Sequence, residues 1–168
     1  MAFAYFNRLT RTQQRVYLQS DTITTIPLRG ASGLHSLVDD LQKALASEDQ
    51  LRTQGVTQRL VNTLTTALSV SGVRVEVLAA RPSRSWGELH GLYTRAGRGR
   101  SARITVWMRT ARHRKVVAFK TFLRTILHEL CHHLDYERLG LADSFHTQGF
   151  YKRESSLFHQ LTNPSRSP

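Results

Sequence analysis

Apolar residues recur at helical spacing late in the chain, at Phe119, Phe122, Leu123, Ile126, Leu127, Leu130 and Leu134. Stepped at about 100° per residue, they fall within an arc of about 140°, the stripe of a helix packed on a core. The pattern predicts a long helix from about Val116, closed by Gly140, since glycine commonly ends helices. Leu34, Leu37, Val38, Leu41 and Leu45 predict an earlier amphipathic helix, and Val56, Leu60, Val61, Leu64 and Leu68 a second one, stopped at Gly72. Residues 7–19 read as a modest helix, and residues 21–27 as extended or turn, because the residue before proline avoids the helical region. A last helix is expected from about Gln148, with Phe150, Leu157, Phe158 and Leu161 on one side.

Between the helices the period shortens to two. Val73, Val75 and Val77 alternate with Arg74 and Glu76, as in a half-buried strand. Residues 89–94 and 103–108 predict two more strands, joined as a hairpin by a Gly/Arg loop. N-terminal helices, a small three-stranded sheet, a long helix and a C-terminal helix make a compact α+β domain over residues 1–161. The polar, proline-containing tail, 162–168, is expected to be disordered.

The long helix carries His128-Glu129-Leu130-Cys131-His132, an H-E-x-x-H string. On the same wheel His128 and His132 fall near 180° and 220°, opposite the apolar stripe, so both imidazoles can grip one metal ion. Glu129 then stands where a base is needed to deprotonate water, which is the chemistry of a zinc peptidase with a minimal zincin-like fold. The plainer alternative is a pair of solvated surface histidines. His133, near 320°, reads as a hydrogen-bonded core histidine, and Cys131 as a small apolar filler. Asp135, near 160°, is either an acceptor that orients an imidazole or a solvated surface acid.

A catalytic zinc usually takes three protein ligands. His146 follows the helix stop and can fold back over the metal face, which makes it the first candidate for the third ligand. Glu154 is the other: it lies amid the apolar arc of the last helix, where an unpaired carboxylate is costly, so it needs a cation, a donor or the metal. If His146 is the ligand, Glu154 is expected to pair with a buried arginine or to support a ligand from behind.

With His128, Glu129 and His132 followed by His146-Thr147-Gln148-Gly149-Phe150, the chain resembles the SprT-like family of small zinc metallopeptidases, which includes Spartan-type DNA–protein crosslink proteases. The resemblance spans roughly residues 73–160. It implies one Zn2+ held by His128, His132 and His146, with Glu129 catalytic. Thr147 stands where that family commonly has glycine, and the Cys-rich zinc ribbon of many members is missing, so the branch is a divergent one. Metzincin spacing fits worse: it would require glycine at Asp135 and histidine at Arg138.

Charge adds a second theme. The net charge is +12, and between Arg74 and Arg124 there are 13 basic and 2 acidic side chains. Arg95, Arg98, Arg100 and Arg103 sit in and beside the Gly-rich loop, with Arg109, Arg112, Arg114 and Lys115 after the next strand. Such a patch favours polyanions, nucleic acid foremost, without sequence-specific readout; the alternative is a solubilising surface. One cysteine excludes an internal disulfide, no apolar run reaches membrane-span length, and the start has no cleavable leader, so a cytoplasmic protein without a membrane partner is expected.

The expected activity is endopeptidase cleavage of a protein or peptide that lies extended on an exposed strand, for which residues 89–94 are the candidate. His90 and Tyr93 are candidate oxyanion donors, though each reads more readily as structural. Two other classes fit the same residues: a non-catalytic nucleic-acid-binding protein with a structural zinc, and a regulatory peptidase with one dedicated protein target.

Overall fold

A computed structural model describes residues 2–30, 32–84 and 87–163. A 3-10 turn at Ala4–Arg8 leads into α1 (Arg11–Thr22), α2 (Ser32–Ala46) and α3 (Gln50–Ala67). Five strands follow among the described residues: β1 (Arg74–Ala80), β2 (Ser83–Arg84), β3 (Gly87–Glu88), β4 (Gly91–Thr94) and β5 (Arg103–Arg109). Helices α4 (Phe119–Glu137) and α5 (Gln148–Thr162) complete the α+β arrangement that the periodicity predicts.

Several boundaries differ from expectation for local reasons. The first helix begins at Arg11, not residue 7, because Thr10 and Gln13 form a reciprocal capping box there. It continues to Thr22, so the non-helical segment begins only at Ile23. α3 ends well before Gly72: Ser69 takes a left-handed conformation (φ 54°), and Val70 N–H closes on the Thr65 carbonyl at 3.0 Å. α4 starts at Phe119 because Val116 and Val117 still pair with the end of β5. It ends as predicted, with Gly140 at φ 61° and the N–H groups of Leu139 and Leu141 closing on the Leu134 and Asp135 carbonyls. Thr162, expected in the tail, is the last residue of α5, and residues 164–168 lie outside the described residues.

β5 is the central strand of the main sheet, parallel to β1 and antiparallel to β4 in the order β1-β5-β4. The β4–β5 hairpin is the predicted one, with Tyr93 opposite Ile104; the short β2–β3 ribbon before it was not anticipated. Val75, Val77, Ile104 and Val106 meet Leu60 and Leu64 of α3, Leu123, Ile126 and Leu130 of α4, and Phe150 and Leu157 of α5 in one buried cluster. No helix among the described residues is long and apolar enough to cross a membrane.

The two sheet edges are finished differently. Gln50, Gln54 and Gln58, one turn apart on α3, reach the outer edge of β1 with their side-chain amides. Gln54 donates to Val75 O (2.8 Å) and accepts from Val77 N–H (2.6 Å). Gln58 donates to Val73 O (3.0 Å) and accepts from Val75 N–H (2.7 Å), and Gln50 donates to Val77 O (2.9 Å). These amides stand in for a fourth strand and block edge-to-edge pairing on that side. β4, the opposite edge, faces α4 across a cleft. Gln54→Ala, which removes two of these bonds, should lower stability by about 1–3 kcal/mol in urea denaturation. The Gln54→Ala/Gln58→Ala double variant should in addition self-associate in size-exclusion chromatography.

Candidate metal centre

His128 and His132 lie one turn apart on α4, and Thr147 sets the third histidine against them. Thr147 is the N-cap of α5, its hydroxyl accepting from Phe150 N–H at 2.9 Å, so the chain enters the helix with His146 immediately before the cap. Thr147, where the SprT-like family commonly has glycine, thus serves here as a helix cap. His146 Nε2 lies 2.9 Å from His128 Nε2 and 3.1 Å from His132 Nε2. All three ligand atoms fall within 4.8 Å of one another, close enough to hold a metal ion. Two nitrogens about 2.0–2.1 Å from one tetrahedral ion stand about 3.3–3.4 Å apart, so the spacing fits to within about half an ångström.

The opposite ring nitrogens are held from behind. Ser144 donates its hydroxyl proton to Asp135 Oδ2 at 2.7 Å, so its oxygen accepts from His132 Nδ1–H, also at 2.7 Å. His128 Nδ1 is 3.1 Å from Glu154 Oε2, a carboxylate that can only accept from it. With both Nδ1 atoms protonated, both Nε2 lone pairs converge, which is the tautomer a metal requires. Burial, then the neighbouring histidines, push His132 down to about 3. Burial and His128 lower His146 as well, against an upward pull from Glu154. Neutral imidazoles are the ligating form, and a three-nitrogen set suits zinc.

Glu154 therefore sits on the outer side of His128, with its other oxygen 3.3 Å from the half-exposed Arg124. Of the two roles expected for Glu154, contact with a candidate ligand from behind is the one present; the buried arginine of this region, Arg153, pairs elsewhere. Arg153 is fully buried and donates to Asp135 Oδ1 at 2.8 Å, to Ser20 O at 2.6 Å, to Ile23 O at 2.5 Å and to Ser20 Oγ at 3.0 Å. Asp135 is likewise fully buried, which rules out the solvated-acid reading. Burial pushes its carboxyl up against the pull of Arg153 and Ser144.

Glu129 lines a cleft of about 700 Å³ between α4 and β4, shared with the three histidines. Its carboxylate accepts the Tyr93 backbone N–H, and burial raises it to about 7 against the opposing pull of His128 and that N–H. β4 approaches this closely because residue 91 is glycine. A Cβ there would stand 2.5 Å from Glu129 Oε1 and 2.8 Å from Thr125 Cγ2. His133 is the core histidine expected: its Nε2–H donates to Ser71 O at 2.8 Å, and its Nδ1 accepts the Tyr93 hydroxyl at 3.0 Å. That bond commits the Tyr93 hydroxyl to the core rather than to an oxyanion. His90 is exposed at the rim of the cleft. Cys131 is fully buried, and burial pushes its thiol well above the usual range.

The arginine run is not one patch in space. Arg95, Arg98 and Arg100 occupy the β4–β5 loop, while Arg112, Arg114 and Lys115 follow β5 at its other end. Seven strand residues, about 20 Å, separate the two groups. Arg103 pairs with Glu76 at 3.4 Å and Arg109 with Glu48 at 2.6 Å, and Arg95 stacks 4.1 Å above the Tyr136 ring. Ser144, Gly91, Arg153 and Arg124 are the site residues that sequence reasoning missed. Only Gly91, a glycine inside a strand pattern, left a signal of close backbone approach.

Compared with protein-family models, with curated proteins and with solved structures, the chain finds no match.

The raised carboxyl of Glu129 has a stability consequence. An acid whose folded-state pKa is about 7 instead of 4.5 binds its proton more tightly in the folded chain, so stability falls as pH rises from about 4.5 through 7. Metal-free Glu129→Gln should lose this component and exceed metal-free wild type by up to about 3 kcal/mol above pH 7. Urea denaturation in chelator from pH 5 to 8 checks it, the two proteins converging at the acid end.

Proposed function

We propose that this chain is a zinc-dependent endopeptidase of the SprT-like kind. The observation that carries the reading is the convergence of three imidazole Nε2 atoms beside a buried carboxylate in one cleft. A zinc ion held by His128, His132 and His146 would supply Lewis acidity to a scissile carbonyl and to water. Glu129, balanced near neutrality, accepts the proton of the attacking water and returns it to the leaving amine. Glu154 and Ser144 fix the rings of His128 and His132 and keep their basic nitrogens turned inward.

The substrate is a protein or peptide in extended form. With β1 closed by the glutamine amides, β4 is the sheet edge that adjoins the cleft, and strand addition there carries a peptide past Glu129. A structural zinc site normally has four protein ligands; three donors facing a cleft favour the catalytic reading. The exposed loop cations Arg98, Arg100, Arg112, Arg114 and Lys115 extend the proposal to proteins held on nucleic acid.

Metal analysis beside a cleavage assay on an unfolded protein substrate tests this. Wild type should carry about one zinc, and Glu129→Gln should retain it while losing at least about 100-fold in rate. Alanine at His128, His132 or His146 should abolish cleavage and leave zinc well below one equivalent, with only weak residual affinity from the remaining two histidines. Full cleavage by Glu129→Gln, or full zinc occupancy in His146→Ala, sinks the proposal. The nucleic-acid extension is separate: duplex DNA binding should weaken steeply with salt and fall further in an Arg98→Glu/Arg100→Glu/Arg112→Glu/Arg114→Glu variant, whereas salt-insensitive binding refutes it.

A further inference from the structure

His128 and His132 are fixed to each other by one turn of helix, but His146 reaches them from the irregular connection between α4 and α5. The first part of that connection is tied to α4, where Leu141 N–H closes on the Asp135 carbonyl and Ser144 donates to Asp135 Oδ2. From Phe145 on it lies against the N-terminal end of the chain, more than a hundred residues away, almost residue by residue. The Tyr17 ring lies 6.2 Å from the Phe145 ring. Tyr5 donates its hydroxyl to the His146 carbonyl at 2.7 Å. Ser20 Oγ stands 3.5 Å from Thr147 Oγ1, and Asp21 Oδ1 accepts Gly149 N–H at 2.8 Å.

Gly149 makes the last contact possible. A Cβ on it would fall 2.5 Å from Asp21 O and 2.6 Å from Ser20 O, so the start of α5 lies directly on the end of α1. The N-terminal side is itself braced. Phe3 N–H donates to the Tyr17 hydroxyl at 3.0 Å, Gln14 donates to Phe6 O at 3.2 Å, and the Tyr17 ring meets those of Tyr5 and Phe6 at 5.8 and 5.0 Å.

We infer that the 3-10 turn and α1 form a clamp whose role is to position His146, with Tyr5 and Asp21 as positioning residues for the third ligand. The inference rests on the metal reading above. A ligand on an unfixed loop must lose its conformational freedom on binding, and a clamp that removes that freedom beforehand raises affinity without touching the ion. Tyr5 grips the backbone of the ligand itself, while Asp21 grips the backbone three residues on, where α5 begins.

The test is zinc affinity of the full chain, measured by competition with a chromophoric chelator, alongside urea midpoints of the metal-free proteins. Tyr5→Phe and Asp21→Ala should each weaken zinc about 10-fold, the lower end of what supporting contacts to metal ligands usually provide. Asp21→Asn keeps the Oδ1 acceptor and should restore wild-type affinity. In a His146→Ala background, where the clamp has no ligand to hold, Tyr5→Phe should produce no further change. Affinities of Tyr5→Phe and Asp21→Ala within twofold of wild type overturn the clamp, as does an equal loss from Tyr5→Phe with and without His146. If wild type binds no zinc at all, the metal reading falls and the clamp with it. Tight binding by wild type with unresponsive variants sinks the clamp alone.

Discussion

Arg153 places a permanent cation where no water reaches, and the arrangement around it follows from having to satisfy that charge. A buried guanidinium without a partner is prohibitive, and removing one member of a buried ion pair typically costs about 3–5 kcal/mol, a large share of an ordinary domain's stability. Asp135 of α4 supplies the counter-charge, and the carbonyls of Ser20 and Ile23, at and just past the end of α1, take further N–H groups. Three helices are thereby brought to one point. The second oxygen of Asp135 holds Ser144, and Ser144 holds the ring of His132. The orientation of a histidine at the cleft is thus traceable to an electrostatic demand in the core behind it.

Burial then does the chemical tuning. α4 is covered on nearly every side: Glu129, Cys131, His133 and Asp135 are buried along with its leucines. Low dielectric disfavours charge of either sign, so it pushes the carboxyl of Glu129 up and the imidazoles of His132 and His146 down. Both shifts favour the neutral form, with different consequences. A neutral imidazole has a lone pair free for a cation, while a carboxyl near 7 can take up and release a proton in ordinary buffer. One physical cause serves both groups because both occupy the same slot between helix and strand.

The parts of this arrangement that were legible in the sequence are those encoded by a period or a short spacing. The stripe from Phe119 to Leu134 identified α4 and separated His128 and His132 from the core-facing His133. The Gly140 stop left His146 free to return. What was illegible depended on which element covers which. Asp135 fell on the same wheel face as the histidines, and only the packing of α5 and its Arg153 against that face turns it from a surface acid into a buried one. Ser144 is a lone serine in an irregular segment and has no periodic mark. Gln50, Gln54 and Gln58 stand off the apolar stripe of their helix and carry no mark of a partner, yet they lie along a strand. The arginines are clustered in sequence, but an intervening strand carries them to opposite ends of the sheet.

β4 joins these threads. Gly91 and Tyr93 both turn toward α4, the first by offering no side chain and the second by giving its backbone N–H to Glu129. The same tyrosine anchors its hydroxyl on His133, whose other nitrogen is fixed by the Ser71 carbonyl just before β1. Glu129 is therefore positioned by the sheet as much as by its own helix, and the sheet's opposite edge is pinned to α3 by the glutamine amides. A displacement of β4 along α4 would move the base and the proposed docking edge together. Their spacing is consequently a property of the whole sheet and not of any one side chain, which is why a bulkier residue at position 91 would disturb both.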